Sequence, residues 1–468
     1  MGMEATYFFF CEADNGRVKV SSLLRSWAFQ IVRSIWPASH CSEAISRIRR
    51  RATREATVAE VSEFLLTLLQ APDTPTCILT ADALDECSDY TEFFKFLSQV
   101  PRRFKVLATS VGLQGILDQF GPLESRLTAI SITPEMTRQD VTRYLQKEVA
   151  SLRILGNVDV PEDCKSQILA RLSEVTFLYA RFMLEDIRGE ISAAGITQCL
   201  GRLPKSLADR YDRILADVNA LPAEQRLLAH QVFFWVLTAN RPLSVREICT
   251  AVLVRPTASR TSRLAADRRI LGNPTGTIHH VCSSLIEARG DKGELYPIHS
   301  SLTRYLRNYM DNDERQTEIA ASYDIGQQLP AEGLAAAVCM RYLSSSFIAE
   351  LQQEDNGNLG YQCRRHEGLQ PKDDRFDFLS YAATQWLHHA GHIEASDQFL
   401  LDAASELLDS QYPNMGIMWR VYWFSGAQGQ SLEDCPSAFS SLDIGANSGL
   451  LETVQRLLED HVPRPAPP

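Results

Sequence analysis

Long apolar runs are missing from the 468 residues: none approaches the roughly 20 positions needed to span a bilayer. The opening residues carry neither the basic n-region nor the long apolar h-region of a signal peptide, so a cytoplasmic address is expected. Gly2 and Thr6 fit the minimal myristoylation pattern, but a strand pattern begins at once and leaves no free arm. The eleven cysteines are odd in number and include no CxxC pair; they read as scattered reduced thiols rather than a disulfide framework. Positive charge is also short. A net charge of -11 argues against non-specific nucleic-acid binding, because phosphate contacts need a basic face. No GxSxG elbow occurs, and no Gly-Lys pair, so the GxxxxGK[ST] phosphate loop is absent.

What remains is the composition of an ordinary globular protein, 45% hydrophobic and 22% charged, long enough for two to four domains. One stretch stands out, Thr76-Cys77-Ile78-Leu79-Thr80-Ala81-Asp82-Ala83-Leu84-Asp85-Glu86-Cys87. Acids do not sit inside buried strands, so Asp82, Asp85 and Glu86 belong where an apolar strand ends and the chain surfaces. In an open parallel sheet that is the crevice where ligands bind. An acid at such a strand end is the layout of a Walker B site, in which an Asp holds magnesium through water.

The run DALDEC resembles the Walker B segment of NACHT domains, the nucleotide switch of the STAND class of signalling NTPases. The nearest resemblance is to the nephrocystin-like N-terminal module common in fungal NLR-like receptors. That resemblance implies a P-loop NTPase-like α/β sheet that uses ATP or ADP with magnesium. It also implies that Asp82 positions the metal and that Asp85 and Glu86 serve the attacking water. The family's strand-terminal Thr-Ser-Arg reads Thr109-Ser110-Val111 here, so the γ-phosphate-sensing arginine is replaced by Val111. Valine donates nothing to a phosphate.

Taken in order, Tyr7 to Cys11 is a continuous apolar run and reads as a strand buried on both faces. Ser21 or Ser22 is positioned to cap a helix carrying Leu24, Trp27, Ile31 and Ile35 inward. The basic run Arg47, Arg49, Arg50, Arg51 and Arg54 reads as a solvated helix face, with a nuclear-import signal as the alternative. Val58 to Leu69 repeats at helical spacing, Phe93 to Leu97 forms a short amphipathic helix, Phe104 to Ser110 is a strand, and Leu127 to Ile132 is expected to be a further one. In the resembled fold the strand bearing the phosphate loop lies between these last two. Without it, each buried orphan N–H or C=O costs about 1–3 kcal/mol. The expected outcomes are that the flanking strands close up, that another chain supplies the strand, or that the sequence is a fragment truncated at its amino end.

From Thr137 the pattern is helical. Thr176 to Arg181 resembles the family's first helical domain, with Val175 where a small residue is usual beside the adenine. Pro222 opens a helix ending near Asn240, Ser244-Val245-Arg246-Glu247 is a capping box, and Leu285–Ala288 with Leu295–Ile298 flank a turn-rich hairpin. This set reads as a winged helix; Arg241-Pro242-Leu243-Ser244 and Ile298-His299-Ser300-Ser301 resemble the winged helix of GPI inositol-deacylase-like proteins, and that resemblance implies that His299 is the histidine that reaches a bound diphosphate in relatives. A backbone-satisfied histidine is the alternative. His388, His389 and His392 lie at helical spacing, yet no acid or cysteine nearby completes a metal set, so they are expected on the surface. Ser441 to Asp460 matches one ankyrin unit, and a lone cap helix is the alternative.

The expected fold class is α/β plus all-α. The domains are 1–135, a truncated NACHT α/β domain without Walker A; 136–205, helical; 206–310, winged helix; 311–430, a helical arm; and 431–468, a first ankyrin-like repeat with a Pro-rich end. The expected function is a STAND-type signalling or scaffold protein without nucleotide binding of its own. Partners would be proteins, met through the arm and the ankyrin-like end, and a homo-oligomer is compatible with this. The alternatives are a fragment of an active STAND NTPase whose phosphate loop lies upstream of Met1, and a winged-helix nucleic-acid binder.

Overall fold

The computed structural model describes residues 4–11, 17–35, 57–72, 74–111, 128–154, 157–172, 175–204, 206–257, 273–326, 329–348, 376–391, 397–408, 418 and 421. The arginine run, His392 and the ankyrin-like segment lie outside them. The chain is mixed α/β and mostly helical. It divides into two compact units, one formed by residues 1–119 with 218–468 and the other by 120–217. No described helix is long and apolar enough to cross a membrane.

The first unit begins with strand β1 (Glu4–Phe9), followed by α1 (Val20–Ile35), α2 (Val58–Gln70), β2 (Cys77–Asp82), α3 (Tyr90–Gln99) and β3 (Lys105–Ala108). The strands form a parallel sheet in the order β1-β2-β3. Strand order equals chain order, and parallel crossovers are right-handed, so the described connecting helices α1, α2 and α3 fall on one face. On that face Trp27 of α1 lies 6.2 Å from the ring of Phe93 and 6.3 Å from that of Phe96 on α3. Leu23, Leu24, Leu65, Leu69, Leu79 and Ala81 complete its buried core.

This geometry corrects three expectations. β1 is not covered on both faces: its alternation leaves Tyr7 59% and Phe9 48% exposed while Thr6 and Phe10 are buried. α1 starts at Val20, ahead of Ser21 and Ser22, and its first N–H is answered by Asp89 Oδ1 at 2.8 Å, 69 residues away. Residues 128–132 form no strand, and Ile130 and Ile132 are exposed.

The sheet's outer β1 edge is closed by side chains. Gln30 accepts the Tyr7 N–H at 3.1 Å and donates to the Tyr7 carbonyl at 2.8 Å. Arg17 donates to the Phe9 carbonyl at 2.9 and 2.6 Å.

The second unit contains α4 (Pro134–Ala150), a small antiparallel pair β4 (Arg153–Ile154) and β5 (Val158–Asp159), then α5 (Glu162–Leu172), α6 (Phe177–Arg188), α7 (Ala193–Gly201) and α8 (Leu207–Asn219). Thr176 and Ser192 cap α6 and α7 with their side chains. Val141, Leu145, Ile168, Met183, Ile187, Ile196 and Tyr211 form its core.

The first unit resumes with α9 (Ala223–Thr238), α10 (Val245–Ala251), α11 (Pro274–Val281), the antiparallel hairpin β6 (Ile286–Arg289) and β7 (Glu294–Pro297), and α12 (Ser300–Met310). The Ser244–Glu247 capping box forms as expected, and Ser244 also bridges to Glu294 of the hairpin. Gly290 and Gly293 take φ of 69° and 64° in the hairpin turn, where a side chain would be strained. Helices α13 (Asp313–Ser322), α14 (Ala331–Leu343), α15 (Leu379–Ala390) and α16 (Gln398–Leu407) follow. α14 is buried over nearly its whole length, packed against α15 and α16.

Candidate functional site

The carboxyl end of β2 carries the acids, and the way it leaves the sheet is unusual. Ala83 has φ 57° and ψ 52°, a left-handed conformation that costs a residue with a Cβ about 1–2 kcal/mol. The turn sends Leu84–Glu86 into a short 3-10 segment, with Leu84 buried and Asp85 and Glu86 half-buried at the rim.

Thr109, just past β3, holds this turn together. Its N–H donates to the Ala81 carbonyl at 2.9 Å, and its own carbonyl accepts the Leu84 N–H at 2.8 Å. Its hydroxyl accepts the Ala83 N–H at 3.0 Å and donates to Asp82 Oδ1 in a short hydrogen bond. Two residues on, the Val111 N–H donates to Asp85 Oδ1 at 3.0 Å. Asp82 and Asp85 are therefore brought together across the β2–β3 gap, each with one carboxylate oxygen engaged by the end of β3. Val111 contributes its backbone and leaves its side chain exposed.

Behind the acids, Cys87 is buried and its Sγ lies 3.4 Å from Asp89 Oδ1. Burial pushes this thiol up to about 12, so it is no nucleophile at neutral pH. Asp89 is spent on capping α1.

His299 stands elsewhere, as the N-cap of α12. Its Nδ1 accepts the Ser301 N–H at 3.1 Å and lies 2.9 Å from the Ser301 hydroxyl. Desolvation lowers its pKa, in keeping with a ring nitrogen that must stay unprotonated to accept. No hydrogen bond among the described residues joins it to Asp82 or Asp85.

Two polar networks escaped the sequence reading. His389 is not a surface histidine but is fully buried. Its Nδ1 lies 2.5 Å from Glu332 Oε2 on α14, and its Nε2 lies 2.8 Å from the Tyr381 hydroxyl. That hydroxyl also accepts the Asn240 N–H at 3.1 Å, and burial drives its pKa well up. The acid absent from the local sequence thus comes from 57 residues away. In the second network, His230 lies 3.1 Å from Glu318 and 3.1 Å from the Tyr309 hydroxyl, while Arg226 donates to Glu318 at 3.0 Å. Among the described residues no three His, Cys, Asp or Glu side chains are grouped to hold a metal.

The family model for the N-terminal region of nephrocystin 3 matches residues 1–111, the span that contains the three-stranded sheet, DALDEC and Val111. No curated protein and no solved structure gives a significant match. The matched region is consistent with a NACHT-like N-terminal module.

Proposed function

We propose that the chain is a NACHT-type regulatory or scaffold protein that works through protein contacts and neither binds nor hydrolyses nucleotide on its own. The observation that carries this reading is the engagement of Asp82 by Thr109 and of Asp85 by the Val111 N–H. Both acids are answered by the chain's own next strand end.

A triphosphate needs donors. This strand end offers carboxylates, which repel it, and the N–H groups of Ala83, Leu84, Thr109 and Val111, which are already used. The sequence supplies no Gly-Lys pair and no arginine at Val111. If a phosphate loop were supplied from elsewhere, ATP or ADP would be the cofactor. Asp82 would then hold magnesium through water, Asp85 and Glu86 would orient the attacking water, and His299 would be the diphosphate contact.

The remaining modules support a protein-binding role. The succession of α9, the Ser244–Glu294 bridge, α10, α11 and the β6–β7 hairpin has the order of a winged helix. The net charge of -11 favours a structural use of that module over nucleic-acid reading. Helices α13 to α16 correspond to the helical arm, and cytoplasmic protein partners are the natural occupants of its outer surface. A steady-state ATPase assay with magnesium tests the reading: no phosphate release above buffer is expected, and turnover that falls in an Asp85→Asn variant would refute it.

A further inference from the structure

His230 of α9 is buried, and both of its ring nitrogens are engaged. Helix α13 faces it with Glu318 and Arg315, α12 with Tyr309, and α9 itself adds Arg226. The Glu318 carboxylate also takes an Arg226 N–H at 3.0 Å, and Arg226 and His230 together hold its pKa below the ordinary value. A carboxylate only accepts, so His230 Nδ1 keeps its proton whether the ring is charged or neutral. What changes with pH therefore changes at Nε2, and Nε2 faces the Tyr309 hydroxyl at 3.1 Å.

That hydroxyl has one proton and two claimants for it. On one side is His230 Nε2; on the other is Asn219 Oδ1, 2.7 Å away on an exposed residue at the end of α8. The Tyr309 ring is held in place, because the Arg315 guanidinium lies 3.7 Å from its centroid and Arg315 also donates to the Tyr309 carbonyl at 2.9 Å. The hydroxyl proton and the Asn219 amide are the parts left to turn. With His230 charged, Nε2–H donates to the Tyr309 oxygen, and the hydroxyl gives its proton to Asn219 Oδ1. With His230 neutral, Nε2 is bare and accepts the hydroxyl proton. Asn219 Oδ1 would then confront a lone pair, so the amide turns over and presents its N–H instead.

We propose that Tyr309 is a relay that converts the gain or loss of one buried proton at His230 into a turn of the Asn219 amide at the surface, a pH-sensitive switch built into the packing of α9 on α12. The outward side of the amide is then a donor in acid and an acceptor at neutral pH. Burial disfavours the charged ring, and Arg315 and Arg226 act in the same sense against the pull of Glu318, which places the change below pH 6.5.

The test is a pH titration of the full chain by NMR, with isotope-labelled histidine and asparagine and with His230→Gln and Asn219→Gln used to assign the two signals. His230 Nε2 should pass from bare to protonated below pH 6.5, and the Asn219 side-chain amide should shift with the same midpoint. In Tyr309→Phe, which keeps the ring and removes the hydroxyl, His230 should still titrate while Asn219 no longer follows. Asn219→Asp is the second variant should that one fail to fold. Its carboxylate only accepts, so it holds the charged setting and should raise the proton affinity of His230 about tenfold, or about one pH unit. An Asn219 amide that stays still through the His230 midpoint overturns the proposal, as does one that still follows in Tyr309→Phe. An unmoved midpoint in Asn219→Asp, or a ring that stays neutral until the chain unfolds in acid, overturns it as well.

Discussion

The Val111 N–H donates to the Asp85 carboxylate at 3.0 Å, so the residue two positions past the β3-end Thr109 meets the acid through its backbone. That N–H, already given to the carboxylate, is not free for a phosphate. Together with Thr109 this ties both Asp82 and Asp85 to the end of β3, and the ties can be tested separately.

Thr109 is the residue that locks the crevice. Thr109→Val removes the acceptor of the Ala83 N–H and the donor to Asp82 while keeping the shape. We expect a loss of about 1–3 kcal/mol for the stranded groups, read as a lowered urea midpoint. Faster amide exchange at Ala83 and Leu84 should accompany it. Unchanged exchange would show that the hydroxyl does not hold the turn.

Ala83 itself gives a test of opposite sign. Ala83→Gly relieves the left-handed strain at φ 57° but adds unfolded-chain entropy, for a net change within about 1 kcal/mol. Ala83→Val adds a β-branched side chain in the same conformation and should destabilise by more than the glycine variant does. A valine variant as stable as wild type would contradict the backbone geometry.

The start of α1 separates local from distant capping. Asp89→Ala should cost about 0.5–2 kcal/mol, because Val20 loses its cap, while Ser21→Ala and Ser22→Ala should change thermal stability little. The reverse ranking would return the cap to the serines.

His230 sets a pH dependence. Burial lowers its pKa below the ordinary value of 6.5, against the pull of Glu318, so the unfolded chain takes up a proton before the folded one does. Its contribution is full above that value and is lost as the pH falls through it. For Glu318, burial acts upward, but the hydrogen bonds and charges of Arg226 and His230 hold the pKa below its ordinary value, which adds a loss of the same sign at lower pH. Urea midpoints at about pH 7.5 and about pH 5.5 should fall less on acidification for His230→Gln than for wild type. Equal losses would remove His230 from the account.

Much of the fold was legible because its signals are local. The Ser244–Glu247 capping box, the Gly290 and Gly293 turn and the helical spacing of Phe93, Phe94 and Phe96 each declare themselves within a few residues. What failed depended on distant partners. Asp89 reaches α1 across 69 residues, and Glu332 reaches His389 across 57, and no periodicity announces either. The run from Tyr7 to Cys11 read as buried on both sides because its residues are all apolar; one-directional winding, a property of the whole sheet, leaves Tyr7 and Phe9 exposed. The acids of the candidate site were placed correctly at a strand end, but their engagement by Thr109 and Val111 needed the pairing of β2 with β3.

The most direct measurement is calorimetric titration of the full chain with magnesium and ATP. The account predicts no saturable heat, for wild type and for Asp82→Ala alike. A micromolar affinity in the wild type that disappears in Asp82→Ala would contradict it.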